Sequence, residues 1–345
     1  MKPICKIALM LFLFTGWHAI AQDLHYSQFY SIPSASNPAF TGFRDNDYMV
    51  GAIYKTQWGS VSKPYRTLGV TGELALLRNK FPNSTLAIGI EIINDRAGST
   101  NYTTNQFNLN VSYQQVMGRR RNHMLGVGFH NGMAVRKFDL SKATFDNQFN
   151  GLDGFDPGLP SGETQLISKQ TDYNLAAGLM YAYSPKDKSK FYIGGSAYNL
   201  MSPNVSFFEG GTKRLDKRFV LISGAEIHMT KKGTWSLLPS VMFQKQGPAF
   251  EALFGTFVRY AMQQKKEEVF ALNLGVWYRY KDAVIPAIRA EYKGLTLTYN
   301  FDMNISSLTK ASHMNGSQEI SLVYSGKVFK PAKQKSSFKC PNMSF

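Results

Sequence analysis

Side chains that could bind a metal ion or attack a substrate are few in this chain. Beyond residue 21 there is one cysteine, Cys340, and the histidines are His25, His123, His130, His228 and His313. No two histidines have the i, i+4 spacing of a helical zinc site, and one cysteine cannot form a Cys-x-x-Cys pair. Neither a G-x-S-x-G nucleophile elbow nor a G-x-x-x-x-G-K-S/T phosphate loop occurs. We therefore predict no metal site, no cofactor and no catalytic residue, and a protein that is not an enzyme.

Positive charge is the other chemical feature of the chain. It has 39 Lys+Arg against 23 Asp+Glu, a formal net charge of +16, which by itself suggests nucleic acid as a partner. Residues 1–21 argue against this, because Lys2 and Lys6, an apolar run and a cleavage site at Ala19–Ala21 are typical of a secretory signal peptide. We predict a mature start at Gln22 and a mature charge of +14. An exported protein does not meet the chromosome, so we expect no nucleic acid among its partners.

Apolar residues alternate with polar or small residues over most of the chain, which is typical of β-strands with one apolar face. We predict fourteen strands at 47–58, 65–77, 84–94, 102–117, 123–137, 171–184, 191–199, 217–228, 235–245, 249–260, 269–280, 283–292, 295–304 and 316–328. Most suit tilted membrane strands of about 9–11 residues better than soluble strands of about 5–6. An even number of antiparallel strands can close, as lipid requires. The sequence predicts an all-β transmembrane antiparallel outer-membrane β-barrel, with a soluble β-sandwich as the alternative.

The predicted connections differ between the two ends of the barrel. With the first strand starting in the periplasm, every connection on that side is short, whereas the other side holds the long segments 138–170, 200–216 and 305–315. Outer-membrane barrels have short periplasmic turns and longer external loops. The sorting therefore supports both the strand count and a location in the outer membrane.

Four parts of the chain are expected in this arrangement. They are a signal peptide at 1–21, an N-terminal lead-in or plug segment at 22–46, the β-barrel domain at 47–328 and a basic C-terminal tail at 329–345. Pro33, Pro38 and Gly42 exclude a regular strand or a long helix from the second part. It either leads in from the periplasm, or contacts a partner, or folds into the lumen, where Gly128 and Gly178 leave space. Alternation also places ionisable side chains inward, as a luminal charge network or a solute path; they are Glu73, Glu91, Glu226, His228, Glu251, Arg259, Arg279, Arg289 and Glu291.

The connections assigned to the periplasm carry most of the positive charge, with a net charge of +10. The residues that this pattern assigns to partner binding are Arg119, Arg120, Arg121, Lys186, Lys188, Lys231 and Lys232. Clustered charge of one sign accelerates association with a surface of opposite sign. We therefore predict either a docking surface for an acidic periplasmic partner or ordinary solvated turns.

Short motifs follow one another along the chain in a characteristic order. The most specific part has Ser27-Gln28-Phe29-Tyr30, then Asn37-Pro38-Ala39 and Thr41-Gly42, and then Tyr54-Lys55-Thr56-Gln57-Trp58. In these motifs the chain resembles the PorP/SprF family of type IX secretion system outer-membrane proteins, over nearly its whole mature length. The motif residues that carry the resemblance are Ser27, Gln28, Phe29, Tyr30, Asn37, Pro38, Gln57 and Trp58.

The resemblance implies an integral outer-membrane β-barrel that serves type IX secretion and, in gliding bacteria, gliding motility. It implies that the partners are outer-membrane lipid, periplasmic lipoprotein or ring components of the machine, and secreted adhesin-like cargo that is exported or attached to the surface. The alternative function is a solute-transport barrel, porin-like or fatty-acid-transporter-like. A third possibility is a structural barrel without a specific client.

Overall fold

Fourteen β-strands run through the part of the chain that the structure describes. The structure is a computed structural model, and it describes residues 25–76, 81, 83–151, 154–156, 158–163, 165–185, 189–230, 233–264 and 267–328. The segments 1–21 and 329–345 lie outside the described residues. No helix in the described ranges is long and apolar enough to cross a membrane.

The strands form one closed antiparallel barrel, in which each strand pairs with its neighbours in sequence and the first pairs with the last. Their bounds are β1 Tyr48–Gln57, β2 Tyr65–Leu76, β3 Ser84–Ala97, β4 Tyr102–Met117, β5 His123–Lys137, β6 Lys169–Tyr183, β7 Ser189–Tyr198, β8 Arg218–His228, β9 Trp235–Gln246, β10 Ala249–Gln264, β11 Glu267–Arg279, β12 Ala283–Tyr292, β13 Leu295–Asn304 and β14 Asn315–Gly326. The predicted barrel of about fourteen strands is confirmed.

Alternation along each strand sorts apolar side chains to the outside of the barrel and polar side chains to its lumen. On β4, Leu109 and Val111 are exposed on the outer wall, whereas Asn110, Ser112 and Gln114 are buried inside. A soluble β-sandwich would bury the apolar set instead. The outward apolar face is the arrangement of a barrel in lipid, so the sandwich alternative is wrong.

The two ends of the barrel differ in the length of their connections. At one end the turns are short, such as 118–122 between β4 and β5 and 293–294 between β12 and β13. The other end carries the loops 138–168 and 199–217, which contact each other through a hydrogen bond from the Ile167 amide to the Phe207 carbonyl (2.8 Å). Following the rule for outer-membrane barrels, we call these the periplasmic end and the external end.

Candidate functional site in the barrel lumen

The lumen is filled by the chain's own N-terminal residues 25–46, which we call the plug. The plug runs from the external end, where the His25 imidazole lies 3.0 Å from the Glu251 carboxylate, to the periplasmic end, where β1 begins. Most of its residues are buried. Of the two locations left open by the sequence, lead-in or plug, the described part of this segment occupies the second.

Two short 3-10 turns let the plug follow the irregular interior. They cover Pro33–Ala35 and Pro38–Phe40, and each begins with a proline, whose fixed φ suits the first position of a helical turn. The Asn37 side chain caps the second turn by accepting a hydrogen bond from the Ala39 amide (2.9 Å). The prolines that exclude a strand therefore shape the plug.

Small residues on the barrel wall make room for the second turn. A Cβ atom at Gly128 would overlap the Pro38 and Ala39 backbone, and one at Gly178 would overlap the Asn37 amide group. The Asn37 Nδ2 donates to the Leu179 carbonyl (3.0 Å) and the Gly195 carbonyl (3.3 Å). The wall glycines are therefore required by the close approach of the plug.

Replacing Gly128 by leucine is expected to displace the plug from the wall. The new side chain occupies the space of the Pro38–Ala39 backbone, and overpacking of this kind costs about 1–3 kcal/mol. Limited proteolysis with mass spectrometry is expected to show cleavage within residues 25–46. The matched control is Gly72→Leu, because a Cβ there meets only the outward Ile90 side chain at 3.8 Å. A plug as resistant in Gly128→Leu as in Gly72→Leu would contradict this packing.

A buried carboxylate holds the plug at the external half of the lumen. Glu319 of β14 is fully buried and accepts hydrogen bonds from the backbone amides of Ser27 and Gln28, both at 2.9 Å. The Lys55 ammonium lies 3.2 Å from the same carboxylate and donates to the His25 carbonyl (2.9 Å). Lys55 and Glu319 are directly opposite each other on β1 and β14. One carboxylate thus joins the plug to the two strands that close the barrel.

A second buried ion pair contacts the plug beside the first. The Asp302 carboxylate accepts from the Ser27 hydroxyl (2.8 Å) and pairs with the Arg279 guanidinium (2.7 Å). Gln28 extends the contact, because its Nε2 donates to the Glu319 carbonyl (2.9 Å) and its Oε1 accepts from the Ser321 hydroxyl (2.6 Å). Luminal groups of the barrel therefore form hydrogen bonds that require a hydroxyl at Ser27 and an amide at Gln28.

Aromatic side chains anchor the middle of the plug. The Tyr30 ring packs at 4.7 Å from Trp277 and 5.4 Å from Phe257, measured between ring centroids. The buried Arg289 guanidinium stacks on the same ring at 4.9 Å. The Phe29 ring packs edge-on against Tyr30, with the centroids 5.4 Å apart. Such contacts add to area burial and fix ring orientation.

In the periplasmic half of the lumen, as in the external half, a buried carboxylate accepts a hydrogen bond from a backbone amide of the plug. Glu73 of β2 accepts from the Gly42 amide (2.9 Å), and the Arg44 guanidinium lies 3.8 Å away. Gly42 has φ +68°, a conformation that glycine adopts without strain. Thr41 is held by Gln114 and Ser112, whose side chains donate to its carbonyl at 2.8 and 2.6 Å. The plug is thus bound along its whole described length.

Two further pairs of opposite charges lie in the lumen. Arg259 donates to Glu291 (2.8 Å) on the lumen side of β10 and β12. Lys190 lies 3.3 Å from Glu226. The predicted strand 191–199 leaves Lys190 in a turn at the periplasmic end, and this is wrong, because Lys190 is buried in β7 and faces the lumen. Lipid-facing ammonium groups are costly, which favours the inward position.

The motif residues occupy two places. Ser27, Gln28, Phe29, Tyr30, Asn37 and Pro38 all lie buried in the plug. Gln57 ends β1 at the external end, and Trp58 follows it. The Trp58 amide donates to the Gly316 carbonyl (2.9 Å), and its ring centroid lies 5.0 Å from that of Tyr65. Trp58 has φ +58°, so the chain turns sharply there. The structure therefore brings the first group together and keeps the second apart from it.

The basic residues assigned to partner binding fall into two groups. Arg119, Arg120 and Arg121 form the turn between β4 and β5 at the periplasmic end, with Arg119 and Arg120 exposed. The lysines of the prediction, Lys186, Lys188, Lys231 and Lys232, lie outside the described residues. No cluster of three His, Cys, Asp or Glu side chains in the described ranges has the geometry to hold a metal ion.

Three groups that hold the plug are not among the inward charges predicted from the sequence. Lys55, Asp302 and Glu319 all lie within predicted strands at inward positions of the alternation. A charged residue on the polar face of a membrane strand is therefore the signal that could find them. Their partners could not be found in this way, because 275 or more residues separate Ser27 from Asp302 and from Glu319.

Solved structures with the same architecture are outer-membrane barrels. The chain is similar to a Pseudomonas aeruginosa FadL homologue, with TM-score 0.50, 11% identity, and coverage of 87% of this chain and 95% of that chain. It is also similar to a TodX deltaS2S3 mutant, a monoaromatic hydrocarbon channel, with TM-score 0.51, 9% identity, and coverage of 85% and 94%. At these identities the similarity shows the fold alone. No curated protein matches the chain.

Family membership follows from a match that spans both the plug and the barrel. Residues 19–324 match the family described as type IX secretion system membrane protein PorP/SprF. The motif-based expectation is confirmed, and together with the barrel fold it assigns the protein to the outer membrane. The chain belongs to the PorP/SprF family of type IX secretion system membrane proteins.

Proposed function

We propose that the protein is an outer-membrane subunit of the type IX secretion and gliding machinery that acts by binding. In this role it supports the secretion or surface attachment of adhesin-like cargo and contacts periplasmic components of the machine. Family membership supports the role in secretion. The filled lumen supports a role in binding rather than in conduction.

The observation that carries the proposal is that the plug contacts the barrel wall in both halves of the lumen. Buried carboxylates hold both of its halves, Glu319 at the external half and Glu73 at the periplasmic half. Between them, Asn37 bonds to the wall and Tyr30 packs on Trp277. A continuous path for solutes would require many of these contacts to break together. A rigid filled barrel instead presents two stable ends to other proteins.

The size of the luminal cavity beside His25 and Tyr26 does not favour the solute-transport alternative. This cavity has about 70 Å³, and it is lined by polar side chains that include Glu91, Asn108, Arg136 and Arg218. Pockets for small molecules usually have about 300–1,000 Å³. The cavity therefore has room for a few water molecules, and no observation in the described part of the lumen favours a solute site.

The periplasmic turn 118–122 is the surface that we propose for a machine component. Its exposed arginines lie at the end of the barrel that faces the periplasm, and guanidinium groups suit bidentate contact with carboxylates. The proposed partner surface is therefore acidic. Rim charges of this kind act mainly on the association rate and are sensitive to salt.

Reversing the three arginines, Arg119→Glu, Arg120→Glu and Arg121→Glu, is expected to lower recovery of periplasmic machine components about tenfold or more. Attraction to an acidic partner becomes repulsion, and charge complementarity changes association rates by about 10–10³-fold. The measurement is affinity purification of the tagged protein from cells at low salt, with mass spectrometry of the bound proteins.

The matched control reverses three exposed bases at the opposite end of the barrel, Lys213, Arg214 and Lys217. Recovery equal to wild type in the arginine variant would contradict the docking surface. Absence of secretion components from the wild-type sample itself would contradict the proposed function.

A further inference from the structure

Four basic residues form one row around the outer wall near the external end, and we call it the external basic row. Arg66 pairs with Arg96 across β2 and β3, Arg96 with Thr103 of β4, Thr103 with Lys137 of β5, and Lys137 with Lys169 of β6. All four basic side chains are exposed. The five strands place the row over about 19 Å of wall, at about 4.8 Å per strand spacing.

The row brings like charges into direct opposition twice. Arg66 faces Arg96, and Lys137 faces Lys169, at cross-strand positions where Cβ atoms are about 4.5–5.5 Å apart. Like charges directly opposite each other destabilise a sheet. No acidic residue occupies the row, so its own strands do not offset the repulsion. An external anion would do so.

The row lies at the level where the wall stops being apolar. The next outward row toward the membrane centre is partly polar, with Asn94, Asn105 and Thr171, and the row after it contains Ile92 and Phe107. Successive outward rows are two residues apart, which is about 7 Å along a strand. Bases at this height lie beside lipid headgroups rather than acyl chains.

A groove of about 520 Å³ opens between two of these bases. It is lined by Arg96 and Lys137, with Asn94, Asn101, Thr103, Asn105, Phe138 and Asp139. Asp139 is the acidic lining residue, and its carboxylate accepts from the Ser141 amide and hydroxyl and pairs with Lys142 (3.0 Å). The groove thus offers two exposed cations to a ligand on the outer wall.

We propose that the external basic row and its groove bind the phosphate groups of an anionic lipid in the outer leaflet. Arginine and lysine are the side chains that recognise phosphate, and clustered bases at the membrane surface attract anionic headgroups. The height of the row selects a lipid over a soluble anion. Bound phosphates between the paired bases offset the repulsion within the sheet and hold this side of the barrel at a fixed depth.

The test measures binding of diphosphorylated lipid A to the purified full-length barrel in detergent. The variant Arg96→Ala/Lys137→Ala is expected to weaken binding about 25-fold, because each base near an anionic surface contributes roughly fivefold. Both side chains are exposed, so the variant is expected to fold, and heat-dependent gel mobility checks this. The control is Lys310→Ala, an exposed base between β13 and β14 at the same end, which belongs neither to the row nor to its groove.

Two further probes identify the source of the phosphate. Lipid A without phosphates is expected to bind as weakly to wild type as the phosphorylated lipid binds to the double variant. Inorganic phosphate at the same concentration is expected not to compete. Unchanged affinity in the double variant, equal binding of the phosphate-free lipid, or full competition by inorganic phosphate would each overturn the proposal.

Discussion

A barrel that lacks residues 22–46 is expected to conduct ions where the intact protein does not. Barrels of about eight strands are filled by their own side chains, whereas those of about 16–18 leave an aqueous channel, so fourteen strands without a plug enclose water. Without the plug, the inner wall would expose charged groups such as Glu319, Arg279 and Arg289. These groups are hydrated readily, so the lumen is expected to fill with water. Single-channel recording in planar bilayers, with residue 47 joined directly to the predicted signal peptide, measures the change.

The control for a shortened terminus is deletion of residues 329–345, which is expected to leave the barrel closed. Heat-dependent gel mobility shows whether the plug deletion still folds. If it does not, Gly128→Leu provides the same measurement on a chain of full length. A folded barrel that stays closed without residues 22–46 would contradict the assignment of the plug as the element that closes the lumen.

Replacing Glu319 by alanine is expected to destabilise the folded barrel by about 3–5 kcal/mol. The change leaves the buried Lys55 ammonium without its carboxylate, and the Ser27 and Gln28 amides lose their acceptor. An uncompensated buried charge is among the costliest results of a point substitution. The measurement is the free energy of unfolding in urea for the protein inserted in lipid vesicles.

Two variants separate the charge effect from loss of packing. Glu319→Gln keeps an acceptor oxygen and is expected to lose less stability than Glu319→Ala. Lys55→Met combined with Glu319→Ala removes both charges and is expected to recover part of the loss, which a double-mutant cycle quantifies. Glu209→Ala, on an exposed external loop, is expected to change stability by less than about 0.5 kcal/mol. A cost for Glu319→Ala no larger than for Glu209→Ala would contradict the role of this carboxylate.

The barrel itself could be predicted because its signal is local and repeated. Membrane strands alternate with period two, and each predicted strand is matched by an observed strand whose ends differ by a few residues at most. Turns interrupt the alternation, as Gly118 and Arg121 do at the turn between β4 and β5, both with positive φ. Closure then follows from the need to pair every backbone group in lipid.

The plug could not be assigned from sequence alone, because its residues carry no period. Pro33, Pro38 and Gly42 exclude regular structure without indicating where the segment lies. Its location depends on contacts with distant strands, such as the hydrogen bonds of Ser27 and Gln28 to Glu319. The inward glycines, among them Gly128 and Gly178, were the indication of a luminal occupant. These glycines line the site of the plug because its close approach to the wall leaves no room for a Cβ atom there.

The central claim is that this PorP/SprF protein serves secretion by binding and not by admitting solutes. The most direct test deletes its gene and measures, in the same strain, the adhesin displayed on the cell surface and the uptake of small solutes. We expect loss of surface adhesin with unchanged uptake, and recovery of surface adhesin when the intact gene is returned. Normal adhesin display together with reduced uptake would contradict it.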